Sequence, residues 1–281
     1  MTIAVAIKVN DGIVLAADSA ATFNGPDGNI LHVYNNANKV FSLHKGLPIG
    51  AITWGMGGID TASTATILKD LRRRFMGLDP QHEEWKLTDE SYTVQEVADR
   101  FHQFIYHDLY IPAFSEWDNK PDMGFMIASY SGGDGAAEVY QVFVRSGECA
   151  GPELLMDRDF TGAAWQGQPE AISRLLHGYS PHLGQVLREQ LEVPADQVNA
   201  ALDIIHQALS SSLVESAMPI QDAIDLAEFF VDLTSKYVRF RPGAPTVGGP
   251  IEIAAITKHE GFKWNRRKHY FGKDLNPGGT L

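Results

Sequence analysis

Two short apolar runs separated by a turn signal open the sequence. Residues 3–9 and 13–17 are rich in isoleucine, valine and alanine, and Asn10-Asp11-Gly12 lies between them. An Asp-Gly pair between short β-prone runs is among the strongest local signals of a β-hairpin. The sequence therefore predicts an antiparallel hairpin here. Because both of its faces carry small or apolar residues, we expect both faces to be buried.

The length of the hairpin loop decides which side chains share a face. If the loop takes all of residues 10–12, with the glycine in the left-handed conformation, Ala4 faces Asp18. Thr2 and Asp18 then become diagonal neighbours on one face of the hairpin. A two-residue loop would place Asp18 on the other face, so this prediction depends on the longer loop.

Thr2 has a chemistry of its own if the initiator methionine is removed, which a small second residue favours. The freed α-amino group titrates at about pH 7.7–8.0, near neutrality. It can therefore act as the general base for the hydroxyl of its own residue, which is one known form of nucleophilic catalysis. Met-Thr opens many proteins, so this signal needs support from elsewhere in the chain.

Two further stretches supply that support. Residues 35–41, NNANKVF, lead Lys39 into a predicted short strand. Residues 49–58, IGAITWGMGG, read as a buried strand that ends in glycines at Gly55, shortly before a predicted helix.

In this order Thr2, Asp18, Lys39 and Gly55 resemble the catalytic positions of the β-type subunits of the proteasome and their bacterial relatives. These proteins are N-terminal-nucleophile hydrolases. The segments DGIVLAAD and NKVF match as well, and residues 248–262 resemble the last hairpin of the family. The resemblance covers nearly the whole chain and is strongest over residues 2–60 and 246–264. It implies an α+β fold, the four-layer αββα sandwich.

The resemblance also implies a role for each matched residue. Thr2 would attack a peptide carbonyl, and Lys39 would lower the pKa of that nucleophile or help to relay its proton. Asp18 would keep Lys39 charged and oriented. The backbone N–H of Gly55 would donate to the oxyanion, a contribution of about 2.7–4 kcal/mol in other hydrolases.

Three more positions would line the pocket for the side chain that precedes the cleaved bond. They are Ala21, Ala37 and Thr53, which would make the pocket open and modestly polar. The predicted substrate is a peptide or an unfolded protein. The predicted chemistry needs no cofactor and no metal.

The sequence departs from the family pattern at positions that support the catalytic residues. Residues 161–168, TGAAWQGQ, lack the serine that helps to orient the terminal amine. Ala20 stands where an arginine is common. An aspartate and a serine usually precede the last hairpin, and in residues 244–247 only Thr246 offers a hydroxyl that could substitute.

The order of the predicted elements suits two stacked sheets with helices on both outer faces. We expect one domain over residues 1–281, with added helices at about 180–216 and a basic tail over 265–281. Residues 18–38 are predicted to form a long loop with a turn at 25–28. Helices are predicted to begin at Asp60 and at Thr93, and a loop to follow from Pro112.

Composition excludes several other classes of protein. The net charge of −12 argues against nucleic acid as the main partner. No apolar run approaches the roughly 20 residues of a membrane span. The single cysteine, Cys149, fits a reducing compartment, and we expect the cytoplasm. His102 and His107 are five residues apart, which on an α-helix puts them on different faces, so they do not predict a metal site.

Three functions remain open. The first is a threonine endopeptidase that assembles with copies of itself into a ring or spiral and works with an ATP-dependent unfoldase. The second is an amidase of the same fold acting on a small amide, which would be a monomer or dimer without peptide turnover. The third is a catalytically silent structural subunit, which would keep Met1 or fail to react at Thr2.

Overall fold

A computed structural model describes residues 2–25, 27–89, 92–133 and 135–268 of the chain. It is a mixed α+β fold built on antiparallel sheets. The strands are β1 (Ile3–Val9), β2 (Gly12–Ala17), β3 (Ala21–Asn24), β4 (Ile30–Tyr34), β5 (Val40–Ser42), β6 (Ile49–Gly55), β7 (Gly58–Ile59), β8 (Ala62–Ser63), β9 (Met123–Tyr130), β10 (Ala137–Val144), β11 (Glu153–Met156), β12 (Gly162–Gly167), β13 (Glu252–Thr257) and β14 (Gly261–Arg266). The α-helices are α1 (Thr64–Phe75), α2 (Val94–His102), α3 (Ile111–Phe114), α4 (Glu170–His177), α5 (Leu183–Glu189), α6 (Ala195–Leu209) and α7 (Ile220–Phe240).

The predicted first hairpin is present, but its predicted register is wrong. Val9 pairs with Gly12, so the loop has only two residues, and Ala4 pairs with Ala17 instead of Asp18. Two-residue loops match the natural twist of an antiparallel pair, which favours them over the longer loop. As a result Asp18 lies beyond the end of β2 and not opposite Ala4.

The change of register also changes which side chains share a face. Ala4 and Ala6 lie with Ile13 and Leu15 in a core that both sheets contribute to. The alternate residues of β1 pack on the other face of the same sheet, against α4 and α7. Both strands are fully buried, as the sequence predicts.

Two antiparallel sheets form the centre of the described chain. The first runs β12-β1-β2-β13-β14 and the second runs β11-β10-β9-β6-β5. Side chains of both sheets, among them Leu15, Ile52, Met126 and Ile256, pack together in one core. The outer face of the second sheet packs against α1, α2 and the helical turns that follow α2. The predicted site residues lie on or beside five strands that contact one another: β1, β2, β5, β6 and β13.

The helix predictions need two corrections. The first helix begins at Thr64 with Ser63 as its N-cap, because Asp60 lies in the tight β7–β8 turn with a φ of 50°. The second begins after Thr93, whose hydroxyl caps it as predicted. It continues through a π-helix over Gln103–Tyr110 into α3, which includes Pro112, so the predicted loop begins after Phe114.

The predicted loop over residues 18–38 contains a hairpin that the sequence analysis missed. Strands β3 and β4 form this hairpin by antiparallel pairing, and the aromatic rings of Phe23 and Tyr34 contact each other edge to face. Most of its side chains are exposed, so it has no apolar alternation of the kind that identifies a half-buried strand.

The segment at 180–216 contains α5 and α6, which lie largely in solvent. In α6 only Val198 is buried. The segment is tied to α4 where the Ser211 N–H donates to Leu176 O at 2.7 Å. Of the predicted basic tail, residues 265–266 belong to β14 and residues 269–281 lie outside the described residues.

Candidate active site

Asp18 is the centre of the candidate site. It directly follows β2, and its fully buried carboxylate accepts four hydrogen bonds. Oδ1 accepts from the backbone N–H of Ile3 at 3.1 Å and from Lys39 Nζ at 2.7 Å. Oδ2 accepts from the N–H groups of Ala20 and Gly248, each at 3.0 Å. These contacts join four chain segments at one carboxylate.

Lys39 lies just before β5 and points its ammonium at Asp18. The two side chains form an ion pair of 2.7 Å that is almost wholly removed from solvent. Burial lowers the pKa of Lys39 below its ordinary value, while the Asp18 charge and its hydrogen bond oppose that change. A buried lysine with a depressed pKa next to a carboxylate is a group that can hold or pass a proton.

Thr2 lies at the same point, one residue before β1. The N–H that joins it to Ile3 is the one that donates to Asp18 Oδ1. On the other side Gly167 approaches so closely that a Cβ there would lie 2.1 Å from Thr2 O and 3.6 Å from Trp54 Cβ. Thr2 is thus held between the Asp18 carboxylate and Gly167 at the end of β12, although not by the diagonal pairing that the sequence predicts.

Gly55 ends β6 in a conformation that needs glycine. Its φ is 81°, and a Cβ at this position would lie 2.5 Å from Asp122 O. It is exposed, unlike the rest of its strand. Strand β6 also carries Thr53, whose N–H donates to Lys39 O at 3.0 Å. The end of β6 therefore borders the Asp18–Lys39 pair.

The three predicted pocket residues lie around this pair. The N–H of Ala37 donates to Ser19 O at 2.9 Å, which ties the Lys39 segment to the Asp18 segment. Ala21 begins β3 directly after the Asp18 segment. The hydroxyl of Thr53 donates to Gly124 O on the neighbouring strand β9 at 3.0 Å, so this hydroxyl stabilises the sheet.

Thr246 is buried two residues before Gly248, which donates to Asp18. Among the described residues its hydroxyl oxygen has no hydrogen-bond partner. A buried hydroxyl without a partner costs about 1–3 kcal/mol, so this oxygen is available to accept a hydrogen bond.

Two charged residues of the site were missed by the sequence analysis. Glu252 on β13 is buried, and its Oε2 accepts from the backbone N–H of Lys39 at 3.2 Å. Lys268 follows β14, and its ammonium lies 3.4 Å from the same Glu252 oxygen. The sequence signals were a glutamate in a largely apolar strand and the position of Lys268 in the predicted basic tail.

The prediction that His102 and His107 lie on different faces of a helix is wrong. Their rings lie 4.9 Å apart, because the π-helix that follows His102 brings residues five apart onto one face. Within the described ranges, no group of three or more His, Cys, Asp or Glu side chains is arranged to hold a metal ion. The described helices include none long and apolar enough to span a membrane.

Comparison with known proteins finds solved structures that share the fold. No protein-family model matches the chain, and no curated protein matches it. It is similar to the solved structure "Anbu (ancestral beta-subunit) from Yersinia bercovieri", with a TM-score of 0.54 and 15% identity over 93% of this chain and 86% of that one. It is also similar to "Helical Assembly of the Anbu Complex from Pseudomonas aeruginosa", with a TM-score of 0.53 and 15% identity over 94% of this chain and 84% of that one.

These matches correct the resemblance drawn from the sequence. The resemblance to proteasome β-type subunits is wrong as stated, since the matching structures carry the separate name Anbu, glossed as ancestral β-subunit. At 15% identity the likeness shows a shared fold and nothing finer.

Proposed function

We propose that this chain is a threonine peptidase of the N-terminal-nucleophile class, built as a four-layer αββα sandwich. One domain would cover residues 1–281, with α5 and α6 as added helices on it. The observation that carries the proposal is the buried carboxylate of Asp18, which joins the Lys39 ammonium to the N–H that follows Thr2. The same carboxylate thus contacts both the proposed proton-relay group and the peptide group between Thr2 and Ile3.

In the proposed reaction Met1 is removed first, which leaves Thr2 with a free α-amino group. That amine takes the hydroxyl proton as Oγ attacks the peptide carbonyl, and the Gly55 N–H donates to the oxyanion. The proton then passes to the departing amine of the substrate. The acyl ester that remains on Thr2 is hydrolysed by a water molecule that the same amine deprotonates.

Lys39 would assist through its charge or through its proton. A cation beside Thr2 lowers the pKa of the hydroxyl, because it stabilises the alkoxide form. The lowered pKa of Lys39 itself also suits a group that relays a proton. Asp18 would hold this ammonium in place in either case.

Thr246 would supply the support that residues 161–168 lack. Its hydroxyl is buried near the Asp18 segment and has no partner among the described residues. The amine freed by removal of Met1 is a donor that this oxygen could accept from. We propose that this contact orients the amine.

We also propose that the chain assembles with copies of itself. One similar structure is titled a helical assembly, and the β3–β4 hairpin exposes Phe23, Leu31 and Tyr34, with Leu31 at 70% exposure. The Phe23 and Tyr34 rings contact each other edge to face, and exposed apolar patches are typical of contact surfaces. The ATP-dependent unfoldase and the cytoplasmic location remain predictions from the sequence.

The test is the intact mass of the purified protein before and after incubation with a peptide epoxyketone. This reagent needs a free terminal amine and the adjacent hydroxyl. We expect loss of one methionine followed by a single stable adduct. Thr2→Ser keeps both groups and should also react, whereas Thr2→Ala should not. Retention of Met1 with no adduct would overturn the proposal.

One observation favours the catalytically silent alternative. Thr2 is only 4% exposed, and a nucleophile must be reached by its substrate. If removal of Met1 opens the site, the adduct forms and the alternative fails. Peptide turnover and oligomeric state distinguish the amidase alternative from the peptidase. An amidase would form the adduct but would turn over no peptide and would remain a monomer or dimer.

A further inference from the structure

The chain returns to the candidate site after its last strand. Lys268 is the second residue beyond β14, and its side chain is only 7% exposed. Its ammonium donates to Ser19 Oγ and to Ala37 O, each at 2.5 Å. Ser19 is next to Asp18, and Ala37 is two residues before Lys39. Lys268 therefore bridges the two segments that carry the proposed catalytic ion pair.

Glu252 completes this bridge from β13. Its Oε2 accepts from the backbone N–H of Lys39 at 3.2 Å and lies 3.4 Å from the Lys268 ammonium. Strand β13 pairs with β2 at Glu252 and Ala17, directly before Asp18. One buried carboxylate thus contacts both the backbone of Lys39 and the side chain of Lys268.

The four buried charges form a balanced set. Two carboxylates, Asp18 and Glu252, face two ammonium groups, Lys39 and Lys268, so the described cluster has no net charge when all four are ionised. Burial is the largest cause that lowers the pKa of Lys268, and Glu252 opposes it. For Lys39 the Lys268 charge lowers the pKa, while Asp18 and Glu252 raise it.

We propose that Lys268 and Glu252 are positioning residues of the site, which lock the Asp18 segment to the Lys39 segment and hold the Lys39 ammonium against Asp18. The catalytic consequence rests on the proposed function, whereas the coupling between Lys268 and Lys39 does not. Removal of either charge should change the protonation of Lys39, and the two removals should act in opposite directions. This opposition separates a charge effect from general loosening, which would hydrate Lys39 and raise its pKa in both cases.

The test is a pH titration of Lys39, followed by NMR in protein that carries ¹³Cε-labelled lysine, with the signal assigned by its loss in Lys39→Arg. In Lys268→Met we expect the Lys39 midpoint to rise by about 1 pH unit. In Glu252→Gln we expect it to fall by a similar amount. The double variant lacks both charges and should titrate close to the parent, as should Lys268→Arg, which keeps the cation.

Outcomes of the titration decide the inference without reference to activity. A Lys39 midpoint that stays unchanged in Lys268→Met, or that moves in the same direction in Lys268→Met and Glu252→Gln, would overturn it. Should Lys268→Met fail to fold, the fall expected in Glu252→Gln remains a sufficient test.

A second measurement tests the catalytic consequence. If the parent forms the epoxyketone adduct, Lys268→Met should slow adduct formation about tenfold and move its pH profile to higher pH, with Lys268→Arg restoring the profile. If the parent forms no adduct, the proposed function fails while the titration result still stands. An unchanged rate and pH profile in Lys268→Met would contradict the positioning role.

Discussion

Asp18→Asn removes the charge at the centre of the candidate site with almost no change in shape. The carboxylate accepts two hydrogen bonds at each oxygen. An asparagine keeps one acceptor oxygen, and its NH₂ group would point at two donors. Two of the four donors therefore lose their acceptor. The Lys39 ammonium loses its counter-charge whichever way the amide is turned.

The magnitude follows from these contacts. Removing one member of a buried ion pair typically costs about 3–5 kcal/mol, because the other charge stays buried and unpaired. A buried N–H that loses its acceptor costs about 1–3 kcal/mol. The two costs overlap, since Lys39 is itself one of the donors. We expect Asp18→Asn to lower the free energy of unfolding by about 3–5 kcal/mol, a large part of the roughly 5–15 kcal/mol of a typical domain.

The loss should also depend on pH, with a definite sign. Because burial lowers the pKa of Lys39 below its ordinary 10.5, the unfolded chain binds more protons than the folded chain between the two pKa values. Stability therefore rises with pH in that interval. Asp18 limits the lowering, so its removal widens the interval. Asp18→Asn should regain stability on going from about pH 7 toward 10 more steeply than the parent.

The assay is urea unfolding followed by circular dichroism, at one fixed protein concentration because assembly would shift the apparent stability. Asp18→Asn, Lys39→Met and the double variant form a cycle that isolates the pair. Lys39→Met should cost far less beside asparagine than beside aspartate, with a coupling of about 2 kcal/mol. Additive costs, or a loss below about 1 kcal/mol in Asp18→Asn, would refute the assignment of Asp18 as the central group.

Two further changes test other parts of the structure. Gly167→Ala should destabilise the protein by about 1–3 kcal/mol in urea unfolding and abolish epoxyketone labelling, because its Cβ would lie 2.1 Å from Thr2 O. The matched control is Gly151→Ala, where φ is +113° but a Cβ meets none of the described atoms within 4 Å; equal losses in the two would refute the clash. At the contact between α4 and α6, burial and the neighbouring His206 lower the pKa of His177. Stability should therefore fall as the pH drops below about 6.5, and the urea midpoint of His177→Phe should fall less; an equal fall would contradict this reasoning.

The parts of the fold that follow from local spacing were predictable. The strand of residues 49–55 and the N-cap at Thr93 depend on neighbouring residues only. The two-residue loop of the first hairpin was not predictable, since Asn10-Asp11 and Asn10-Asp11-Gly12 are both acceptable turn sequences. The π-helix after His102 was missed for a related reason, because apolar residues at α-helical spacing continue through it.

The residues of the candidate site also divide into those that the sequence predicts and those that it does not. Thr2, Asp18 and Lys39 match positions of the family that the sequence resembles, and that resemblance predicts that they meet. Lys268 belongs to a run with Lys263 and the arginines between them, and four cations in six residues are typical of a solvated segment. Nothing in the neighbouring sequence distinguishes Lys268, whose side chain is buried, from the other three cations.

Only the fold shows why burying Lys268 is tolerable. Ala20 stands where the resemblance leads us to expect an arginine, so from the sequence this side of Asp18 lacks a cation. In the structure the ammonium of Lys268 lies 2.5 Å from Ser19 Oγ, the residue before Ala20. Glu252 provides the counter-charge there from a third segment. A cation that arrives from a distant part of the chain cannot be recognised from spacing, because its position depends on the pairing of β13 with β2 and β14. We expect the pKa of Lys39 to respond with opposite signs to removal of Lys268 and of Glu252. That result would identify an interaction between Lys39 and Lys268, 229 positions apart, through the effect of charge and without any local sequence pattern.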